Sequence, residues 1–433
     1  MKITKLIVNN FKSFGTLEFS NENNKKLNDV NILVGANASG KSNFIQIFEF
    51  LKEIKKSGIE NTVKKKYKGI NNIKNFNTNK KNIAIEIELS SYEKTFIRKL
   101  SEINDIYRER TKIEYKINLI QLPGNKFDIQ EKITFYEKYI IVNIQTKEFV
   151  DLSSHHIYGI ENNYGKFKLF TNNNDVKKFN LQEDEESFLD LSLPFPVTFI
   201  ETLNSRYKDK SILEYEGVFI PADIFDFGIF DFEPKKLKGA KDDLNTSILD
   251  KSGEDLIPVI KQILKDDEKS EQFLAEISSM LDFIEKINIE EFGTKIDLQI
   301  QEKCNSISTE SSLLSDGTIT IIAIIVALYY QNHSVIFIEE PEHGIHPSLI
   351  ADLIDMIYDV AVSFDKQIII TTHSPEILRV NGKERINNLL LIEKKDCFSQ
   401  IENPGDDKNE MVKAFLKNGL GVNTLFIQNL LGN

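Results

Sequence analysis

The chain has 433 residues, 41% hydrophobic and 28% charged, the balance of a soluble globular protein with room for two or three domains or one discontinuous one. A formal net charge of −12 repels nucleic acid, so any DNA or RNA contact needs a local basic patch. Two cysteines, Cys304 and Cys397, with no C-x-x-C neighbour, exclude a disulfide framework and a cysteine-rich zinc site.

Met1 to Val8 alternates like a strand and lacks the continuous apolar segment of a leader peptide. Asn31 to Val34 reads as a buried strand running into Gly35-Ala-Asn-Ala-Ser-Gly-Lys-Ser42, which matches the G-x-x-x-x-G-K-[ST] phosphate loop. In such a loop the glycines let backbone N–H groups close around phosphates, Lys41 reaches the β and γ phosphates, and Ser42 holds Mg²⁺. Asn43 to Ile54 follows with apolar residues at helical spacing, so a helix N-terminus adds its field to the loop. The pattern predicts a site for ATP or GTP.

Lys64-Lys-Lys-Tyr-Lys68 is the one basic run that stands out, and it reads as a solvated loop. From Ile83 to about Phe199 the chain is strand-like and turn-rich, with Asn82 to Leu89, Lys138 to Asn143 and Lys166 to Phe170 as examples, which predicts antiparallel sheet. Between Gly253 and Ile289 the spacing turns helical, through Leu256, Ile260, Ile263 and Leu264, then Phe273, Leu274, Ile277, Leu281 and Ile284. Two short helices are expected there, too short for a coiled-coil arm.

Leu313-Leu-Ser315-Asp-Gly317 precedes an apolar helix from Ile319 to Tyr330. That places Ser315 and Gly317 at a helix N-terminus, which is both an ordinary cap and a ready anion site. The helix falls short of the ~20 residues a membrane span needs, and a cytoplasmic protein without membrane partners is expected. Ser334 to Ile338, Lys366 to Thr371 and Asn388 to Ile392 are continuous apolar runs, as central parallel strands require. Helices from about Ser348 to Ser363 and Pro375 to Val380 separate them. Glu339 and Glu340 then lie just past a central strand, where α/β sheets bind ligands. Glu339 is placed to ligate Mg²⁺ through water, and Glu340 to orient or deprotonate an attacking water. His373, after the next strand, is placed to donate to a γ phosphate.

The order of phosphate loop, long insertion, serine-glycine motif, tandem acids and histidine resembles the ABC-type ATPase heads of the SMC, RecF and OLD-like group. Leu6-Ile-Val-Asn-Asn-Phe-Lys-Ser-Phe14 resembles that group's first strand, Asn37 and Asn43 suit its phosphate loop, and Ser315-Asp-Gly-Thr318 looks like a divergent signature. Glu339-Glu-Pro-Glu-His-Gly-Ile-His-Pro347 is similar to the OLD-like Walker B and D-loop. The resemblance implies an α/β fold, an ABC-type P-loop head with a mixed, largely parallel sheet and an antiparallel subdomain, interrupted by a β-rich and helical insertion. It divides the chain into residues 1–66 and 305–400 as head, 67–304 as insertion and 401–433 as tail.

The same resemblance implies ATP and Mg²⁺ as cofactors. Gly35, Asn37, Gly40, Lys41, Ser42 and Asn43 would bind nucleotide, with Ser42 and Glu339 on the metal, Glu340 as the catalytic glutamate and His373 as the switch histidine. It also implies a homodimer or higher even oligomer, in which Ser315 and Gly317 of one subunit contact the γ phosphate held by Lys41 of the other. Glu339 stands in place of the more usual aspartate and Ala38 where many relatives have glycine, and Gln121, Gln130 and Gln145 are the candidates for the Q-loop. About fifty residues follow Arg379, at the lower bound for a domain, so a TOPRIM nuclease is expected on a separate chain, and Glu402, Asp406 and Asp407 read as surface acids. The function implied is a sensor or regulator in an anti-phage defence system of Septu-like or PARIS-like kind, with a nuclease or toxin as effector. The alternatives are a RecF-like DNA-binding ATPase of genome maintenance and an ATP-locked scaffold.

Overall fold

A computed structural model describes residues 1–20, 25–99, 104–123, 126–143, 146, 149–163, 166–171, 212–215, 218–221, 224–380 and 386–403. In chain order its strands and longer helices begin with β1 (Lys2–Phe11), β2 (Phe14–Ser20), β3 (Val30–Val34), α1 (Lys41–Ser57), β4 (Asn82–Lys99), β5 (Asn104–Leu122), β6 (Lys126–Asn143), β7 (Phe149–Asn163) and β8 (Lys166–Thr171). There follow β9 (Ile212–Tyr215), β10 (Val218–Pro221), β11 (Gly228–Phe230), β12 (Lys241–Asp242), α2 (Leu256–Ile263), α3 (Asp267–Met280), β13 (Ile284–Phe292), β14 (Lys295–Glu302) and β15 (Ser308–Glu310). The remainder is α4 (Asp316–Ile325), β16 (Val335–Glu339), α5 (Pro347–Ser363), β17 (Gln367–Thr372), α6 (Pro375–Val380), β18 (Leu389–Lys395) and β19 (Phe398–Glu402).

Two compact units share this chain discontinuously. One takes Met1–Leu27, Gln46–Asp226 and Lys394–Gln400, the other Asn28–Ile45, Phe227–Glu393 and Ile401–Asn433. These boundaries differ from the linear division at residues 66, 304 and 400. The N-terminal strand pair belongs with the antiparallel strands, and the helices after Gly253 belong with the phosphate loop. The reason is packing: Leu256, Ile260, Phe273 and Ile277 of α2 and α3 are buried in the same hydrophobic cluster as Ile32, Ile336 and Ile370, so the helical segment completes a core instead of forming a module of its own.

The first unit is built on a seven-stranded sheet in the order β2-β1-β4-β5-β6-β7-β8, with antiparallel neighbours throughout. Period-two alternation places Ile83, Ile85, Ile87 and Leu89 of β4 and Ile113, Tyr115, Ile117 and Leu119 of β5 in its core. The opposite face carries a charge ladder in which Glu86 meets Lys5 at 2.7 Å and Lys116 at 3.2 Å. Lys112 there bridges Glu88 at 3.2 Å and Glu114 at 2.8 Å. The basic run departs from the expected loop: Thr62–Lys66 forms a π-helical turn. Its lysines do face solvent, where Lys64 pairs with Glu60, and Lys66 with Glu53 at 3.2 Å.

A six-stranded sheet in the order β11-β16-β17-β3-β18-β19 lies for the most part in the second unit. The pairings from β11 to β18 are parallel, and β3 and β17 are buried along their whole length. That burial on both faces is why these segments read as unbroken apolar runs. A smaller antiparallel sheet, β12-β14-β13 with β15 on β14, packs its Ile296, Leu298 and Ile300 into the same core. The fold is thus mixed α/β with a parallel sheet and an antiparallel one, as expected. The apolar segment from Ile319 divides into α4 and a π-helical turn, Val326–Tyr330. Among the described residues no helix is long and apolar enough to cross a membrane.

Candidate functional site

Parallel strand order brings the candidate residues to one place. With β16, β17 and β3 in register side by side, Glu339 pairs with Thr371, and Thr372 with Val34. The residues that follow these strands, Gly35 onward, Glu340 onward and His373 onward, therefore leave the sheet along one edge.

The loop after β3 has the geometry a phosphate cradle needs. A Cβ on Gly35 would stand 2.3 Å from the carbonyl oxygen of Ile392, so only glycine fits there. Ala38 and Gly40 take positive φ of 62° and 120°, backbone conformations of the kind from which anion-binding turns are built. The first of these is a left-handed conformation that glycine adopts more readily than alanine. Asn37 and Ser42 are exposed and Asn43 half-buried, all three near the N-terminal turn of α1. Lys41 is buried and donates from Nζ to the carbonyls of Gly35 at 2.7 Å and Ala36 at 3.1 Å. Burial lowers its pKa, while the carboxylates of Glu340 and Glu342 act to raise it.

Ser42 and Glu339, 297 residues apart, meet: the serine hydroxyl donates to Oε2 at 3.1 Å. A hydroxyl and a carboxylate side by side are hard oxygen donors suited to Mg²⁺. Among the described residues no group of three or more His, Cys, Asp or Glu is gathered as a metal site. The loop and the oxygen pair therefore fit a nucleotide and its metal. Burial raises the pKa of Glu339, opposed by Lys251, whose Nζ lies 3.1 Å from Oε1.

Glu340 leaves β16 with φ at 45° and its N–H bonded to the Thr371 carbonyl at 2.9 Å. Its Oε1 lies 2.9 Å from Nδ1 of His373. The strained backbone and the histidine together fix where this carboxylate points. Glu342 was not singled out from the sequence as a site residue, yet it is mostly buried, accepts from Thr372 Oγ1 at 2.5 Å, and has its pKa raised by burial. Sequence gives little signal for it, since an acid after Pro341 looks like any surface charge.

Ser315 caps α4 by accepting from the N–H of Thr318 at 3.0 Å, the ordinary capping role. Gly317 is required by packing: a Cβ there would stand 2.6 Å from the Gly344 carbonyl and 3.2 Å from the Ile345 Cα. Of the three Q-loop candidates, Gln121 is bonded to Asn71 and Lys74, and Gln130 to Asn118, all on the antiparallel-sheet unit, while Gln145 lies outside the described residues. Glu402 is an exposed residue of β19, and Asp406, Asp407 and most of the tail lie outside the described residues.

Solved SMC heads align along most of the chain at low identity. The SmcHead bound to the C-winged helix domain of ScpA is 12% identical with a TM-score of 0.46, covering 95% of this chain and 99% of that one. The SMC head domain from Thermotoga maritima is 12% identical with a TM-score of 0.41, covering 93% and 99%. The Smc head domain with a coiled coil and joint from Pyrococcus yayanosii is 10% identical with a TM-score of 0.44, covering 96% and 99%. No curated protein matches the chain. A family model described as "AAA domain, putative AbiEii toxin, Type IV TA system" matches residues 30–379, from the strand before the phosphate loop to the helix after His373, and the chain belongs to that family.

Proposed function

We infer that the chain is an ABC-type ATPase that binds and hydrolyses ATP with Mg²⁺ and acts as a dimeric regulator of an anti-phage defence system whose effector is a separate protein. The observation that carries the enzymatic part is the meeting of two distant pairs on one sheet edge, Ser42 with Glu339 and Glu340 with His373. Lys41, now turned to two loop carbonyls, has phosphate oxygens as its alternative acceptors. Ser42 and Glu339 would hold Mg²⁺, which when bound supplies neutralisation of phosphate charge. Glu340 is the acceptor for the proton of an attacking water, and the His373 contact holds its carboxylate in place. Family membership supports an ATPase of the AAA class, and the words toxin and TA system in the family description agree with a role in defence.

Lys41→Ala should abolish nucleotide binding, and Glu340→Gln should keep binding while lowering hydrolysis by about 10²-fold or more, the scale of a lost general base. Both are measured by phosphate release and by fluorescence of a bound nucleotide. Equal hydrolysis by wild type and Glu340→Gln would sink the catalytic assignment. Loss of phage protection in cells carrying Lys41→Ala is expected. Protection unaffected by that change, or salt-dependent DNA binding by the purified protein, would favour the genome-maintenance alternative.

A further inference from the structure

Glu339 is shared in a way that the metal-site reading does not use. Its Oε2 accepts from Ser42, and its Oε1 is held by the ammonium of Lys251 at 3.1 Å. The lysine is not a chance visitor. Its carbonyl accepts from the N–H of Asp231 at 2.8 Å, and the next residue's carbonyl accepts from the N–H of Glu233 at 3.3 Å. Asp250 tightens the same turn by accepting from Ser252 Oγ at 2.7 Å and from the N–H of Asp255 at 3.1 Å. Strand β11 pairs in parallel with β16, Phe230 opposite Ile338, so Asp231 leaves the sheet beside Glu339. A second carboxylate is thus within reach of the same ammonium, with Asp231 Oδ2 4.0 Å from Lys251 Nζ.

The three side chains differ in exposure in a telling way: Glu339 is 13% exposed, Lys251 42% and Asp231 53%. The inner carboxylate is the one that a metal would need, and the outer one is free of that demand. Two cations on one mostly buried carboxylate repel each other, so a divalent ion at Ser42 and Glu339 weakens the lysine's hold on Oε1.

We propose that Lys251 is a positioning residue that holds Glu339 toward Ser42 until the nucleotide's divalent ion arrives, and then moves to Asp231. This rests on the reading of Ser42 and Glu339 as the metal pair. The lysine competes with the ion, and Asp231 relieves the competition by offering the lysine another partner. A lysine over Glu339 also lets the chain fold without leaving a mostly buried carboxylate uncompensated.

The test is direct Mn²⁺ binding to the full chain with ATPγS, read from the electron paramagnetic resonance signal of free Mn²⁺, with unfolding midpoints confirming that each variant is folded. Lys251→Met should lower the Mn²⁺ Kd by about three- to fivefold, the scale of one partly exposed ion pair. Lys251→Arg, which keeps the cation, should stay near wild type. Asp231→Asn should raise the Kd, and the double variant should match Lys251→Met, because Asp231 acts through the lysine. A Kd unchanged or raised in Lys251→Met overturns the proposal. So does an Asp231→Asn loss that persists undiminished in the double variant, which would make Asp231 a ligand in its own right. Wild type that retains no more Mn²⁺ than ATPγS alone would overturn the metal-pair reading together with it.

Discussion

Glu340 and Ala38, with φ of 45° and 62°, put left-handed backbone at non-glycine residues on the sheet edge that carries the proposed site. A left-handed alanine costs roughly 1–2 kcal/mol, and the added chain entropy of a glycine costs about 0.5–1 kcal/mol. Ala38→Gly should therefore raise stability, by up to about 1.5 kcal/mol on these figures, read from urea unfolding. A lower midpoint would show that the loop does not hold the strain assigned to it. The sequence announces Ala38 only as a departure from a family habit, and the dihedral gives the physical reason. Lys251 carries no such mark, because a lysine in a polar turn far upstream of Glu339 fits no spacing rule, and only the fold brings the two together.

The start of α4 and the turn after Glu340 interlock through two glycines. A Cβ on Gly317 meets the Gly344 carbonyl at 2.6 Å, and one on Gly344, itself at φ 75°, meets Cβ of Asp316 at 3.2 Å. Asp316 is also tied to Lys238 at 2.5 Å. Gly317→Ala should cost about 1–3 kcal/mol, since the contact is with backbone that cannot swing aside. Ser315→Ala should cost about 1 kcal/mol, the value of a lost cap. Urea unfolding of both decides: an equal or reversed order would mean that the turn yields easily.

Elements of this unit were legible because burial writes itself into them. Val335–Glu339, Gln367–Thr372 and Leu389–Lys395 lie within a few residues of their apolar runs, and the helices of Leu256–Ile263 and Asp267–Met280 follow their periodicity. What those helices pack against was not legible. Their apolar faces say only that something covers them, and the cover includes strands from both ends of the chain.

At the scale of the whole molecule, the resemblance implies a site in which Ser315 of one copy meets the nucleotide held by the Lys41 loop of another. ATP should therefore shift the sedimentation of Glu340→Gln toward a dimer, while Lys41→Ala stays unshifted. A variant-independent, nucleotide-independent mass would contradict that arrangement. The net charge of −12 opposes association at low salt, so the shift is best sought near physiological ionic strength.

The discontinuity of the two units bears on how the protein is made. Strand β3 ends at Val34, yet its neighbours in the sheet, β17 and β18, begin at Gln367 and Leu389. At ordinary ribosomal rates the five apolar-flanked residues of β3 wait on the order of tens of seconds for a partner. During that interval the nascent chain carries an open strand edge, a natural template for pairing with the wrong chain. The strands that flank β3 thus exist only after Gln367 and Leu389 have been made, and a chain released before that point lacks the sheet neighbours on either side of the phosphate loop's strand.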